Sequence, residues 1–199
     1  MAGGPGRLWL AVVKPFVFQV VGYQNRGKTT FIKKVIEKLR EVKVEVAVLK
    51  HHGHGGKPDI ANLKDSHNHF QAGAVASLVE GDGTMELLGN LNAGASITEL
   101  IHLLGLFHPD VILIEGYKQE DFPKVILIKE ESDLILLETL LNVKAAIAWP
   151  ECLERTMNHA TVPVFPLDSD VFFEWFLERI LEWHNARSIV LRKMDEGDQ

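Results

Sequence analysis

The stretch Gly22-Tyr23-Gln24-Asn25-Arg26-Gly27-Lys28-Thr29-Thr30 constrains this chain more than any other. It satisfies the spacing G-x-x-x-x-G-K-[ST] in full, and it sits in the context that spacing requires. Phe16 to Val21 ahead of it is a β-rich apolar run. Lys28 to about Val42 behind it is helix-compatible, with Phe31, Ile32, Val35, Ile36 and Leu39 at i, i+3 and i+4 spacing between charged residues. Strand, glycine loop and helix in that order make a phosphate cradle. The glycines let the backbone bend so that N–H groups converge on phosphate oxygens. The helix N-terminus adds unpaired N–H groups and a dipole that favours anions. The Lys28 ammonium reaches the β- and γ-phosphates as the catalytic cation, and the Thr29 hydroxyl is placed to ligate Mg²⁺. Gly22, Gln24, Asn25, Arg26, Gly27, Lys28, Thr29 and Thr30 are therefore the expected nucleotide-binding residues.

Val44 to Leu49 reads as a second strand, so the first three elements form a βαβ unit, which implies a parallel sheet. Further along, strands are expected at Ala74 to Val79, near Met85 to Leu88, at Val111 to Ile114, Val125 to Ile128, Ala145 to Ala148 and Val162 to Phe165. Gly81-Asp82-Gly83 reads as a turn. Helices are expected at Ser66 to Gly73, Ile97 to Leu106, Ser132 to Leu141 and Phe172 to Trp183. The two VILI runs are continuous rather than alternating, as in strands covered by helices on both faces. The expected fold is α/β: a single doubly wound, mostly parallel P-loop NTPase sheet flanked by helices. Within the 199 residues, 1–14 are expected to be a loose N-terminal extension, 15–188 the domain, and 189–199 a charged, frayed tail.

An acidic residue at the end of a neighbouring strand is needed on the magnesium side. Val111-Ile112-Leu113-Ile114-Glu115-Gly116 supplies one: four apolar residues end in Glu115, and Gly116 lets the chain leave the sheet. Glu115 is thus a metal and catalytic candidate, serving either the ion or the attacking water. Asp65 is a second metal candidate, with a helix-capping role as the alternative. Lys50 and His51, leaving the strand taken to adjoin the phosphate loop, open a loop that continues through His52 and His54, with His67 and His69 soon after. That loop has three readings: contact of Lys50 and the histidines, His51 first, with phosphate, another anion or a second substrate; an ordinary loop; or a transition-metal site. No cysteine lies near it, and the spacing matches no standard zinc pattern.

The formal net charge of −6 argues against nucleic acid as the main partner, since such binding leans on Lys and Arg neutralising phosphates; a local basic patch remains compatible with it. Cys152 is the single cysteine, so no internal disulfide forms, which suits a reducing cytosol; a buried packing role is expected for it. No stretch approaches the roughly 20 apolar residues of a membrane span. A cytoplasmic protein without membrane attachment is the expectation.

With those pieces assembled, the chain resembles the MobB family, molybdopterin-guanine dinucleotide biosynthesis protein B. The likeness is carried by GYQNRGKTTF at Gly22–Phe31, LKHHGHGG at Leu49–Gly56, KDS at Lys64–Ser66, AGA at Ala72–Ala74, VEGDG at Val79–Gly83, LIEGYKQ at Leu113–Gln119 and PKVIL at Pro123–Leu127. The resemblance implies a GTP-binding protein with weak intrinsic hydrolysis at most. It implies GTP and Mg²⁺ as ligands, a homodimer, and assistance to the molybdopterin guanylyltransferase that joins GMP to molybdopterin. By the same likeness Gly22, Gly27, Lys28, Thr29 and Thr30 bind GTP and Glu115 is the acid on the Mg²⁺ side, with molybdopterin or the molybdenum cofactor as a further ligand. One position departs from the family pattern: Asn68 stands where relatives often carry Arg. Guanine preference has no signature of its own here, because the chain has no Asn-Lys-x-Asp run. Two other functions use the same loop, a metallochaperone-type GTPase working through the histidine loop and a small-molecule kinase. The second lacks an Arg-rich lid, since residues 84–150 contain no Arg. Val171–Trp183, with Phe172, Phe173, Trp175 and Phe176, is a candidate dimer surface whose alternative is core packing.

Overall fold

Two fully apolar runs set the middle of the sheet. The computed structural model describes residues 14–51, 64–91 and 94–197. The runs become β5 (Val111–Glu115) and β6 (Lys124–Ile128), in which every residue is buried. Between them lies β1 (Phe16–Val21), parallel to both. The other strands of this sheet are β2 (Val46–Lys50), β7 (Val143–Ala148) and β8 (Val164–Pro166), in the order β2-β5-β1-β6-β7-β8. All five pairings are parallel. The strand after the first helix is therefore not β1's neighbour, as a simple βαβ reading has it: β5 lies between β1 and β2. Its uninterrupted apolar run fits a central position covered on both faces, whereas β2 is only half-buried and takes the edge.

Helices cover both faces. On one side α1 (Lys28–Glu41) and α6 (Asp170–Gly197) bury Phe31, Ile32, Val35, Leu39, Phe172, Phe176 and Ile180 against the inward side chains of β1, β5, β6 and β7. Phe18 and Phe176 meet at 4.8 Å between ring centroids, and Phe31 and Phe172 at 5.1 Å. The aromatic stripe at Val171–Trp183 is thus core packing, with Phe172 and Phe176 buried, rather than a free dimer surface. On the other side Leu136 and Leu140, from α4 (Ile135–Thr139) and its end, close over Val21, Ile126, Ile128, Ala146 and Ala148. Cys152 joins the same cluster just before α5 (Leu153–His159), and burial raises its thiol pKa. The helix α6 continues to Gly197, through the residues expected to fray after Ile189.

The described residues divide into two compact units, one from the chain up to His51 and from Ile101 onward, the other from residues 52–100. The second contains α2 (Lys64–Gln71) lying against a hairpin of β3 (Ala76–Gly81) and β4 (Thr84–Gly89). The hairpin is antiparallel and turns at Asp82-Gly83, both with positive φ (50° and 74°), as the turn residues Asp-Gly favour. The helix α3 (Ile97–Gly105) starts with a capping pair: Ser96 Oγ accepts from Glu99 N–H while Glu99 accepts from Ser96. Among the described residues no helix is long and apolar enough to cross a membrane.

Candidate functional site

The phosphate loop leaves the carboxyl end of β1 at Gly22 and enters α1 at Lys28. Its shape depends on contacts that exclude larger residues. A Cβ on Gly22 would lie 3.1 Å from the Leu127 carbonyl oxygen and 3.4 Å from Leu127 Cβ, so the loop starts pressed against β6. Asn25 (φ 59°) and Gly27 (φ 81°) are both left-handed; Asn tolerates that region better than most side chains and glycine accepts it freely. Gly27 caps α1, whose first turn holds no acidic residue and no side-chain cap among the described residues. The N–H groups of Lys28, Thr29 and Thr30 therefore have no acidic or capping side chain from their own first turn.

Side chains complete the arrangement. Lys28 Nζ donates to the carbonyls of Gly22 (3.0 Å) and Tyr23 (2.7 Å). Burial lowers its pKa, Glu115 opposes that shift, and Lys50, Lys118 and Arg26 add to it. Thr29 Oγ1 donates to Glu115 Oε1 at 2.9 Å, and Lys50 Nζ stands 3.3 Å from the same oxygen. Glu115 is buried at the end of β5, in register with Lys50 on β2 and Val20 on β1. The next residues hold this corner together: His51 N–H donates to Glu115 O (2.9 Å), and the His51 ring lies 4.4 Å from that of Tyr117.

Gly22, Lys28, Thr29, Lys50, His51 and Glu115 are thus brought together in the first unit. The Arg26 side chain turns away from the loop's concave side. Its Nε donates to both oxygens of the fully buried Asp133 (3.1 and 2.8 Å) and its guanidinium pairs with Glu130, so what Arg26 offers a ligand is its backbone N–H. Gln24 and Asn25 are both exposed on the loop, and Thr30 lies in the first turn of α1. Asp65 belongs to α2 in the second unit, and its side chain lies outside the described residues, as do His52 and His54. At Asn68, the position where relatives often carry Arg, the chain is helical, and nearby Gln71 Nε2 meets His67 Nε2 at 2.7 Å. Among the described residues no cluster of His, Cys, Asp or Glu forms a metal set.

Several residues at this site receive no role from the sequence alone, although Lys118 lies within the LIEGYKQ segment. Gln19 interrupts the apolar run of β1; it is fully buried, and its Nε2 donates to the carbonyls of Gly116 (3.1 Å) and Tyr117 (2.8 Å). A polar residue in the sequence Phe-Val-Phe-Gln-Val-Val is the signal that marks it. Lys118 places its ammonium 4.7 Å above the Tyr23 ring. Trp149, at the end of β7, would lie 3.6 Å from a Cβ on Gly27, and Lys129 Nζ stands 4.5 Å over its ring.

Loop shape, strand order and the carboxylate on the neighbouring strand put the chain in the P-loop NTPase-like class of doubly wound α/β proteins. Comparison with known proteins narrows that class. The family model for molybdopterin guanine dinucleotide synthesis protein B matches residues 17–149. The chain is 39% identical over 173 residues to a Bacillus subtilis protein named as a probable molybdopterin-guanine dinucleotide biosynthesis adapter, covering 86% of this chain and 97% of the relative. A Haemophilus influenzae adapter of the same description is 28% identical over 169 residues, covering 84% and 91%. Among solved structures, Bacillus subtilis MobB superposes with a TM-score of 0.65 at 37% identity, covering 81% of this chain and 96% of that one. A MobB homologue from Bacillus stearothermophilus gives 0.64 at 31% identity, covering 83% and 98%. The chain belongs to the family of molybdopterin-guanine dinucleotide biosynthesis adapter proteins.

Proposed function

We propose that the chain binds GTP with Mg²⁺ on the Gly22–Thr30 loop and presents it to, or through it engages, the molybdopterin guanylyltransferase. The observation that carries the nucleotide half is the 2.9 Å contact between Thr29 Oγ1 and Glu115 Oε1 beside Lys28. A hydroxyl and a carboxylate are hard oxygen donors of the kind Mg²⁺ takes alongside phosphate oxygens, so the residues present fit that ion. Mg²⁺ there would neutralise phosphate charge; Lys28 and the loop N–H groups would orient the phosphates, and Lys50 would balance Glu115. The excess of ammonium groups over carboxylates around the loop fits a polyanion. Guanine over adenine is supported by the family, since the dinucleotide in its relatives' names carries guanine. The adapter role follows the same names and gives no reason for fast turnover. Homodimerisation belongs to this reading and is supported by the hairpin of the second unit: Leu78 and Leu87 face each other across β3 and β4 and are both exposed, and a two-stranded sheet is marginal alone. Sedimentation showing a monomer at working concentration would remove the dimer.

The test is calorimetric titration of the whole chain with GTP and with ATP, each with Mg²⁺. Preference for GTP is expected, and Lys28→Ala weakens it by roughly 10- to 100-fold, the range for losing a charge-assisted contact. Equal affinity for ATP would defeat the guanine assignment, and undiminished binding in Lys28→Ala would defeat the loop assignment. For the partner, added GTP should change the affinity of the chain for the guanylyltransferase; no change in affinity counts against the adapter mechanism.

A further inference from the structure

We propose that Lys118 is a second phosphate-binding cation, delivered from the turn after β5, that distinguishes a nucleoside triphosphate from a diphosphate on the Gly22–Thr30 loop. This rests on the nucleotide-binding reading above and adds a residue and a ligand preference to it.

The turn is built at some cost to the backbone. Gly116 (φ 95°) and Tyr117 (φ 51°) are left-handed in succession, and an aromatic residue there is disfavoured unless its surroundings hold it. They do so on two sides. Buried Gln19 donates to both carbonyls, at 3.1 and 2.8 Å, and the Tyr117 ring packs on that of His51 at 4.4 Å. At Gly116 a Cβ would meet His51 Cβ at 3.2 Å. The product of this geometry is the placement of the next residue, whose ammonium comes to rest over Tyr23 on the phosphate loop.

Tyr23 thereby takes two ammonium groups from different directions, Lys28 on its carbonyl at 2.7 Å and Lys118 over its ring at 4.7 Å. Lys50 adds a third beside Thr29. Glu115 is the carboxylate paired with Lys50, and among the described residues Lys118 has no carboxylate within ion-pair distance. An ammonium resting on an aromatic face is held weakly, and a phosphate oxygen replaces that contact with a charge-assisted hydrogen bond. Lysine is suited to this exchange, because a point charge on a flexible stem can leave the ring for a phosphate without a fixed approach angle. Lys118 arrives from the strand that carries Glu115, on the metal side of the loop, where the β- and γ-phosphates lie in proteins of this class. Trp149 and Lys129 occupy the opposite side, at the ends of β7 and β6.

The experiment is titration of the wild type, Lys118→Met and Lys118→Arg with GTP and with GDP, each with Mg²⁺. Lys118→Met keeps the stem over Tyr23 and removes the charge. It should weaken GTP by about tenfold or more while leaving GDP within about twofold, and Lys118→Arg should restore most of the GTP-over-GDP ratio. An unchanged ratio in Lys118→Met overturns the proposal, whether both affinities hold or both fall together. If the wild type binds neither nucleotide, the reading on which the proposal rests is the part that fails, and the proposal goes with it.

Discussion

Three glycine-to-alanine substitutions set a combined cost against a conformational one: Gly22 (φ 157°) carries steric and backbone strain together, Gly27 and Gly83 backbone strain alone. At Gly22 the added methyl carbon falls 3.1 Å from the Leu127 carbonyl oxygen and 3.4 Å from Leu127 Cβ. Neither atom belongs to a flexible side-chain end: Leu127 is fully buried in β6, where it pairs with Ile147 of β7. A shift of a few tenths of an ångström must therefore be taken up by the sheet or by the loop, and overpacking of that kind costs about 1–3 kcal/mol. Gly27→Ala meets nothing closer than Trp149 Cζ2 at 3.6 Å, ordinary contact, but it places a methyl group on a residue with φ 81°. That conformation costs about 1–2 kcal/mol for a residue with a Cβ. Gly83→Ala, in open space at φ 74° in the hairpin, carries the conformational cost alone and serves as the control. Urea unfolding followed by tryptophan fluorescence reports the first unit, where Trp149, Trp175 and Trp183 lie, and circular dichroism follows the hairpin variant. Gly22→Ala should lose about 2 kcal/mol and should also weaken nucleotide binding, since the loop moves off β6. A stability change below about 0.5 kcal/mol for Gly22→Ala refutes the claim that Leu127 sets the position of the loop.

Two further outcomes follow from the same region. Asp133→Ala leaves the N–H groups of Lys129 and Glu130 without the carboxylate that accepts them at 2.8 and 2.9 Å, besides releasing Arg26. The two N–H groups alone account for a loss of about 2 kcal/mol in denaturant unfolding, and a smaller change than about 0.5 kcal/mol would show that water replaces the carboxylate at no cost. Lys28 gives a pH effect of definite sign. Its pKa in the free protein is lowered by burial below the ordinary 10.5; on the nucleotide-binding reading bound phosphate favours the ammonium, so binding would take up a proton at alkaline pH and affinity would fall as pH rises through the free-protein value. In the absence of nucleotide the same burial works against the fold below that value and is relieved as pH climbs toward 10.5. Calorimetry at alkaline pH in two buffers of different ionisation enthalpy measures the proton directly, and release instead of uptake refutes the account.

The parts of this molecule that were legible in the sequence are those whose determinants lie close together in it. The phosphate loop declares itself because glycine, lysine and threonine must stand at fixed offsets, and the Asp82-Gly83 turn because its backbone needs those residue types. Continuous apolar runs announced β5 and β6 as covered strands but not their places, and the strand expected beside β1 proved to be β2 at the edge, with β5 between them. Arg26 shows the limit most clearly. Its neighbours assign it to a nucleotide loop, while its side chain is committed to Asp133, 107 positions along the chain, where no local pattern can reach. Gln19 and Lys118 are similar: one is an anomaly in a strand and the other a lysine after Glu-Gly-Tyr, and their contacts exist only once Gly116 and Tyr117 fold back. The aromatic stripe of α6 carried the right periodicity, but periodicity alone does not say whether a partner subunit or the sheet covers it.

The strand order also sets a timetable for synthesis. Strand β1 pairs with β5 and β6, and β2 pairs with β5, so neither amino-terminal strand has a ladder partner until residues near 111–115 exist. At ribosomal speeds of roughly 5–20 residues per second, Phe16–Val21 waits on the order of 5–20 seconds for its neighbour. Through that interval an apolar segment and the phosphate loop attached to it are outside their sheet. On the nucleotide-binding reading, a nascent chain cannot complete its site with Glu115 still unmade, which makes ligand capture a report that translation has passed β5.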